Sequence, residues 1–160
     1  MAIEGYKAFH HDMSNNYGMK FEVGKTYHVD GPIKFGVDGN GFHLCTNVED
    51  TFRYVEDDEV KVAKVIGDGT IADGFDDYNE YYDMYAVSDL TVSRLMIRDE
   101  IIEEVLKGNE FRVCRFISTG FMLNENERQL IRDRFPESRI INNCVDYVER
   151  VRYPLMKVKK

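Results

Sequence analysis

One histidine and one cysteine stand two residues apart in the segment GFHLC, residues 41–45. If this segment is a strand, His43 and Cys45 point to the same face, because side chains alternate along a strand. Such a pair has the groups for a metal ligand pair, or for a thiol nucleophile beside its base. The alternative is a histidine whose hydrogen bonds are satisfied in the core, next to a buried thiol.

A second group of residues combines carboxylates with tyrosines between positions 56 and 83. The carboxylates lack the fixed spacing of a calcium-binding EF-hand. Tyrosine is a rigid, amphipathic side chain that is enriched at interfaces. We therefore interpret the group as a partner-binding surface, and the alternative is a solvated acidic loop. Its members are Glu56, Asp57, Asp58, Glu59, Asp76, Asp77, Tyr78, Glu80, Tyr81, Tyr82 and Asp83.

Charge is distributed unevenly along the chain. Residues 1–110 carry 23 acidic and 10 basic side chains, whereas residues 111–160 carry 6 acidic and 11 basic ones. Clustered acidic charge steers positively charged partners, so we expect a host protein partner with a basic nucleic-acid-binding surface. The net charge of −8 argues against direct nucleic-acid binding. The arginines of the tail are expected to pair with the acidic part, or with that of a second subunit.

The sequence lacks the short motifs that are typical of common enzyme classes. It contains no P-loop, no GxGxxG, no GxSxG and no HExxH. The three cysteines form no CxxC pair, and their odd number favours reduced thiols over a disulfide framework. We therefore expect no metal and no cofactor, and the pattern favours a binding protein over an enzyme.

The elements that position these groups indicate an α+β fold. Short alternating apolar runs separated by glycine-rich turns predict a small, mostly antiparallel sheet of about six strands. Residues 41–45 and 60–67 are two of these strands. The apolar spacing after Asp89 predicts one main helix that ends at Lys107, before Gly108.

The pattern of apolar and charged residues changes after this helix. Residues 111–117 alternate apolar side chains with arginine, which predicts a strand with one wet face. Helical spacing follows after the capping residue Asn124 and again over residues 140–151. We therefore predict an acidic domain, 1–108, and a basic β-α-α extension, 109–160, that packs on it.

An ordered series of motifs resembles an uncharacterised domain common in bacteriophages and prophages. The motifs are YKAF at 6–9, FEVGKTY at 21–27, DGPIK at 30–34 and GFHLC at 41–45, followed by a strand that ends at Gly67. The resemblance covers about residues 5–105, and it implies a phage or mobile-element setting rather than a reaction. A looser similarity links GFHLC and the helix after it to ADP-ribosyltransferase-like folds.

The sequence favours a phage or mobile-element binding protein that engages a host protein through the acidic, tyrosine-rich surface. Inhibition of an antiviral defence system is one role of this kind. The first alternative is a small enzyme or nucleotide-binding protein, ADP-ribosyltransferase-like, with its site near His43 and Cys45. The second is a structural phage component that assembles into a homo-oligomer. The absence of a signal peptide or a long apolar run predicts a cytoplasmic protein, in the bacterial host cell, without membrane contact.

Overall fold

The computed structural model describes residues 2–36, 39–53, 55, 59–73 and 84–158. The chain divides into two compact units, Met1–Ile97 and Arg98–Lys160. The division falls after Ile97, and the boundary predicted at residue 108 lies between the first two helices. Packing of the C-terminal part on the acidic domain stays a prediction.

Among the residues that the structure describes, five strands and a short 3₁₀ helix lie in the first unit, and five α-helices and one π-helical turn lie in the second. The strands are β1 Ile3–Phe9, β2 Thr26–His28, β3 Phe42–Cys45, β4 Lys61–Asp73 and β5 Met84–Leu95, and the 3₁₀ helix is Val48–Arg53. The helices are α1 Arg98–Leu106, α2 Glu110–Ile117, α3 Glu125–Arg134, α4 Arg139–Tyr147 and α5 Tyr153–Val158, with the π-helical turn Val148–Arg152 before α5.

The sheet of the first unit is antiparallel and closes on itself. Its strand order is β2-β5-β3-β1-β4, and β5 pairs with β4 as well as with β2 and β3. β1 runs along β4 from Ile3 opposite Gly67 to Phe9 opposite Lys61. The prediction of an α+β fold with a mostly antiparallel sheet is therefore confirmed.

The interior of the sheet is apolar and rich in aromatic rings. Phe21 is its central ring, with centroids 5.1 Å from Phe9 and 4.8 Å from Tyr27. Gly67 leaves room for the Leu44 side chain in the interior, because a Cβ added there would lie 2.6 Å from Leu44 Cδ2. Aromatic pairs at these separations add to the stabilisation from burial.

The prediction of one helix from Asp89 to Lys107 is wrong in its first half. Asp89 lies in β5, and the helix α1 covers Arg98–Leu106. The apolar residues Leu90 and Val92 are fully buried, and their backbone pairs with β2 and β4. Tertiary pairing therefore overrides the helical spacing that the sequence offers in this segment.

The predicted C-terminal β-α-α arrangement is also wrong, because the segment 111–117 is helical. The Asn109 side chain caps α2 by accepting from the Arg112 N–H at 3.0 Å. Val113, Phe116 and Ile117 are fully buried, while Phe111 is 66% exposed. A strand would put Phe111 on the same face as Val113, whereas helical spacing separates them. The helix predicted after Asn124 is confirmed as α3.

No helix in the part of the chain that the structure describes is both long enough and apolar enough to cross a membrane.

Candidate functional site

A cleft opens in the first unit where β1 and β3 stop pairing. Within these two strands the register pairs Tyr6 with Cys45 and goes no further. Continued pairing would bring Ala8 opposite His43. Instead, the Lys7 ammonium reaches across and donates to the His43 carbonyl oxygen at 2.7 Å. A charged side chain thus occupies the place where a backbone hydrogen bond would otherwise form.

Lys7 places a positively charged ammonium group in this cleft, next to the apolar interior. Side chains alternate along a strand, so Lys7 shares its side of β1 with Ile3 and Phe9, which belong to the apolar interior. Burial lowers the pKa of Lys7 to about 8, and the nearby Cys45 thiol opposes this only in part. About nine in ten Lys7 side chains are still cationic at pH 7. Because the His43 carbonyl is neutral, that contact leaves the charge uncompensated.

His43 is held in a neutral form by its surroundings. Its Nε2 accepts from the Gly36 N–H at 3.1 Å, so the ring proton belongs on Nδ1. The ring packs edge-on against Phe35, with centroids 4.7 Å apart. Burial, followed by the positive charge of Lys7, lowers the pKa of His43 to about 4. At neutral pH this histidine offers the cleft an uncharged aromatic surface.

Cys45 lines the same cleft, but its chemistry is suppressed. Burial, followed by the negative charge of the buried Asp50, raises the pKa of the Cys45 thiol to about 12. Only about one thiol in 100,000 is ionised near pH 7. The Nε2 of His43 is engaged by the Gly36 N–H and not by this thiol. The arrangement gives Cys45 no activated base, and it favours the core-histidine alternative over a nucleophile.

One wall of the cleft is a tight glycine-containing loop. Lys34 and Asn40 bridge their backbones with hydrogen bonds of 2.9 and 2.8 Å. Gly39 must be glycine, because a Cβ there would lie 2.1 Å from the Lys34 carbonyl oxygen. The Asn40 amide donates to the carbonyl oxygens of Asp30 and Pro32 at 2.8 and 3.1 Å. The described part of this wall is therefore held by its own backbone.

A second part of the lining comes from the loop that carries Asn15, Asn16, Tyr17 and Met19. The Asn15 side-chain oxygen accepts from the N–H groups of Tyr17 and Met19, at 2.9 and 3.0 Å. Asn16 is hydrogen bonded to His10 Nε2 through its side-chain oxygen at 2.7 Å. Tyr17 lines the cleft and is 78% exposed, so most of its surface is open to solvent.

The cleft encloses about 730 Å³, within the range of pockets for small-molecule ligands. Its lining combines aromatic rings, side-chain amides, backbone of the glycine loop and the Lys7 ammonium. The residues that carry these groups are Tyr6, Lys7, Asn15, Asn16, Tyr17, Phe35, Gly36, Gly39, Asn40, Gly41, Phe42 and His43. Such a set of groups stacks on planar rings, hydrogen bonds polar edges and attracts an anion.

The acidic, tyrosine-rich surface lies almost entirely outside the described residues. Of its eleven predicted members, Glu59 is described, and it is exposed. The other ten, at positions 56–58, 76–78 and 80–83, fall in the segments that the structure does not describe. The partner-binding role of this surface stays a prediction.

A second histidine, His28, lies between two carboxylates at the edge of the cleft. Its Nδ1 is 2.7 Å from Asp89 Oδ1 and its Nε2 is 2.8 Å from Asp30 Oδ1. These hydrogen bonds, the one to Asp89 first, raise the pKa of His28. Among the described residues, no group of three or more His, Cys, Asp or Glu side chains is placed to hold a metal ion.

Lys7 is the central residue that the sequence analysis missed. The sequence contains a signal for it, because Ile3, Gly5, Lys7 and Phe9 share one side of β1, and three of the four are apolar or glycine. A lysine in phase with a core stripe is rarely buried without a reason. The cleft residues in the loops at 15–19 and 34–40 have no comparable signal. Their sequence predicts only turns between strands.

Comparison with known proteins gives one match. A family model described as a domain of unknown function, DUF7666, matches residues 3–94. No curated protein matches the chain, and no solved structure matches it. The matched segment contains the five described strands up to Arg94 and the described residues that line the cleft.

Proposed function

The chain belongs to the DUF7666 family of domains of unknown function, and from that premise we propose that its cleft binds a small anionic ligand of the nucleotide class. The observation that carries this proposal is the Lys7 ammonium. It lines a cleft of about 730 Å³ and makes its hydrogen bond to a neutral carbonyl oxygen. An anion placed beside it gains a charge-assisted contact in a partly desolvated site.

The rest of the lining suits the base of a nucleotide. Tyr17 is an exposed ring of the lining, and Phe35 and His43 add an uncharged pair of aromatic rings in contact with each other. Stacking of a base on an aromatic side chain contributes about 1–3 kcal/mol. Side-chain amides of Asn15 and Asn40 border the same space. The Asn15 oxygen and the Asn40 nitrogen already bind backbone groups, so the Asn15 nitrogen and the Asn40 oxygen are the atoms that would pair with a base edge.

Charge favours a small anion over a polymer. The net charge of −8 repels nucleic acid from the molecule as a whole. A single lysine within a cleft attracts one phosphate without creating the extended basic surface that a phosphate backbone requires. The proposed ligand is therefore a mononucleotide or dinucleotide.

Binding, and not covalent catalysis, is the function that the cleft supports. With its pKa raised to about 12, the Cys45 thiol is a poor nucleophile at neutral pH. The ADP-ribosyltransferase-like alternative requires cleavage of NAD⁺ in the same cleft. Nicotinamide release from NAD⁺, measured by chromatography, would establish that alternative, and binding without release supports the present proposal.

Calorimetric titration of the full chain tests the proposal with three probes: AMP, adenosine and ribose 5-phosphate. We expect AMP to bind at least tenfold more tightly than either fragment, because it alone has both the base and the phosphate. Lys7→Met should remove the preference of AMP over adenosine, since a charge-assisted hydrogen bond contributes about 1.5–3 kcal/mol. The exposed Lys61, which pairs with Phe9 at the end of the β1–β4 ladder, supplies the matched control Lys61→Met. Absence of binding by all three probes at millimolar concentration contradicts the proposal.

We also propose, from the resemblance of the motifs, a phage or mobile-element setting and a host protein partner. The acidic N-terminal part of the sequence supports this proposal. Affinity capture from a bacterial host lysate tests it, with the wild-type chain compared against a variant in which Asp57, Asp58, Asp76 and Asp77 are replaced by Asn. Capture that is equal for the two chains argues against the acidic surface as the contact.

A further inference from the structure

Two cysteines that are distant in the sequence meet between helices of the second unit. Cys114 lies in α2 and Cys144 in α4, thirty positions apart, and their Sγ atoms are separated by 2.8 Å. Both side chains are partly exposed and both thiols are free. A covalent disulfide brings its sulfurs to about 2.05 Å, so the two atoms need to move little to bond.

The helices that carry the two thiols are firmly placed. α2 and α4 pack against each other, and each begins with a side-chain cap, Asn109 for α2 and Ser138 for α4. The cap of α4 is buried, and its hydroxyl accepts from the Ile141 N–H at 3.1 Å. Because both helices are anchored, the proximity of the sulfurs is a property of the packing and not of a mobile loop.

We propose that Cys114 and Cys144 form an oxidisable dithiol site, which closes into an intrachain disulfide by exchange with a low-molecular-weight disulfide such as oxidised glutathione. The site lies in the helical unit, and the proposal does not depend on the ligand of the cleft. The third cysteine, Cys45, is buried in the other unit and is expected to take no part.

The exchange proceeds in two balanced steps. One protein thiol loses its proton to solvent, and its thiolate attacks a sulfur of oxidised glutathione. This breaks the glutathione S–S bond, forms a mixed disulfide and releases one glutathione. The second protein thiol, also deprotonated, attacks the protein sulfur of the mixed disulfide and releases the second glutathione. The two protein thiols lose two electrons in total, and oxidised glutathione gains them.

The surroundings of Cys114 slow the oxidation of the pair. Burial, and then the hydrogen bond with Cys144, raise the pKa of Cys114 to about 12. A small thiolate population makes attack on a disulfide slow. Once formed, the disulfide links α2 to α4 and restricts the unfolded chain across thirty positions, which stabilises the helical unit.

Thiol counting and mass spectrometry of the full chain test the proposal. After incubation with oxidised glutathione, we expect the thiols titratable in denaturant to fall from three to one and the intact mass to fall by two hydrogen atoms. Peptide mapping should join Cys114 to Cys144, and the midpoint of thermal unfolding should rise. Cys45→Ser should still lose two thiols.

Two results would overturn the proposal. One is a wild-type chain that keeps three thiols when excess oxidised glutathione is present at alkaline pH and the incubation continues until the thiol count no longer changes. The other is a peptide map in which Cys114 or Cys144 is joined to another chain. The variant Cys144→Ser separates the two steps, because it should stop at the mixed disulfide and gain the mass of one glutathione. Mapping of the wild type decides the question if this variant fails to fold.

Discussion

The ammonium of Lys7 lies 2.7 Å from the carbonyl oxygen of His43, and this contact spans the point where β1 and β3 separate. The folded chain keeps a cation in a partly desolvated position there, although an apolar side chain would suit the adjoining core better. Residues that lower stability while facing a cleft are typical of functional sites. If Lys7 is functional, its replacement by an apolar side chain should raise the stability of the fold. If Lys7 is structural, the same replacement should lower it.

Replacement of Lys7 by Met should stabilise the fold by about 1–2 kcal/mol, because the cost of desolvating the charge is removed. Urea unfolding at pH 7 measures this change, with Lys61→Met as the control. The pKa is lowered from 10.5 to about 8 in the folded state, so the unfolded chain holds the extra proton between these values. Stability of the wild type relative to the variant should therefore rise with pH across this window. A variant that is less stable at pH 7 contradicts the argument.

The neutral state of His43 predicts sensitivity to acid. Its pKa is lowered from 6.5 to about 4 in the folded chain, so the unfolded chain binds the additional proton between these values. Stability should therefore fall as the pH is reduced from about 6.5 towards 4. His43→Asn keeps an acceptor for the Gly36 N–H and should flatten this dependence, measured by urea unfolding across the range. The exposed His11 provides the control variant His11→Asn, which should behave as the wild type.

His28 is expected to show the opposite shift, since Asp89 and Asp30 raise its pKa above 6.5. Its contribution to stability is present below pH 6.5 and is lost as the pH rises through the folded value. Proton NMR titration of the imidazole should show a pKa that is lowered again in Asp89→Asn. The same substitution at Asp30 should have the smaller effect, because the hydrogen bond to Asp89 is the larger cause. An unchanged titration in Asp89→Asn would show that the contact is absent in solution.

Glu127 should be important for the stability of the helical unit. Its buried carboxylate accepts from Arg98 Nε and Nη2 at 2.6 and 2.7 Å, and it completes the capping box of α3 through the Asn124 N–H at 2.8 Å. Glu127→Ala should cost about 2–3 kcal/mol, discounted for the exposure of Arg98. Thermal unfolding measures the loss. Glu125→Ala, at an exposed position of the same helix, should change stability by less than about 0.5 kcal/mol.

The parts of the fold that local signals specify could be predicted from the sequence. The cap at Asn124 and the helix after it required only short-range chemistry, and the structure has both. The strand of GFHLC was flanked by turn residues and is present as β3. The segments 89–95 and 111–117 could not be assigned in this way, because each fits two periodicities. Segment 89–95 is a strand because it pairs with β2 and β4. Segment 111–117 is a helix because this conformation buries Val113, Phe116 and Ile117 together.

The placement of His43 and Cys45 on one strand could be predicted, but their chemistry could not. Both residues line the cleft, and their role there stays a prediction. Their reactivity depends on burial, on Gly36 and on the charges of Lys7 and Asp50, and these are long-range relationships. The proximity of Cys114 and Cys144 is equally invisible in the sequence, because it results from the packing of two helices.

The pairing of β5 also has a consequence for how the chain folds as it is synthesised. β5 is the last strand in the chain, and it contacts β2, β3 and β4, whose residues precede it by up to sixty-five positions. A sheet that depends on its final strand cannot close while that strand is still inside the ribosome. Since the partner segments are far apart in sequence, loop closure makes this step slow. The nascent chain therefore exposes unpaired strand edges until residue 95 emerges, which is the interval in which a chaperone or an early binding partner would act on it.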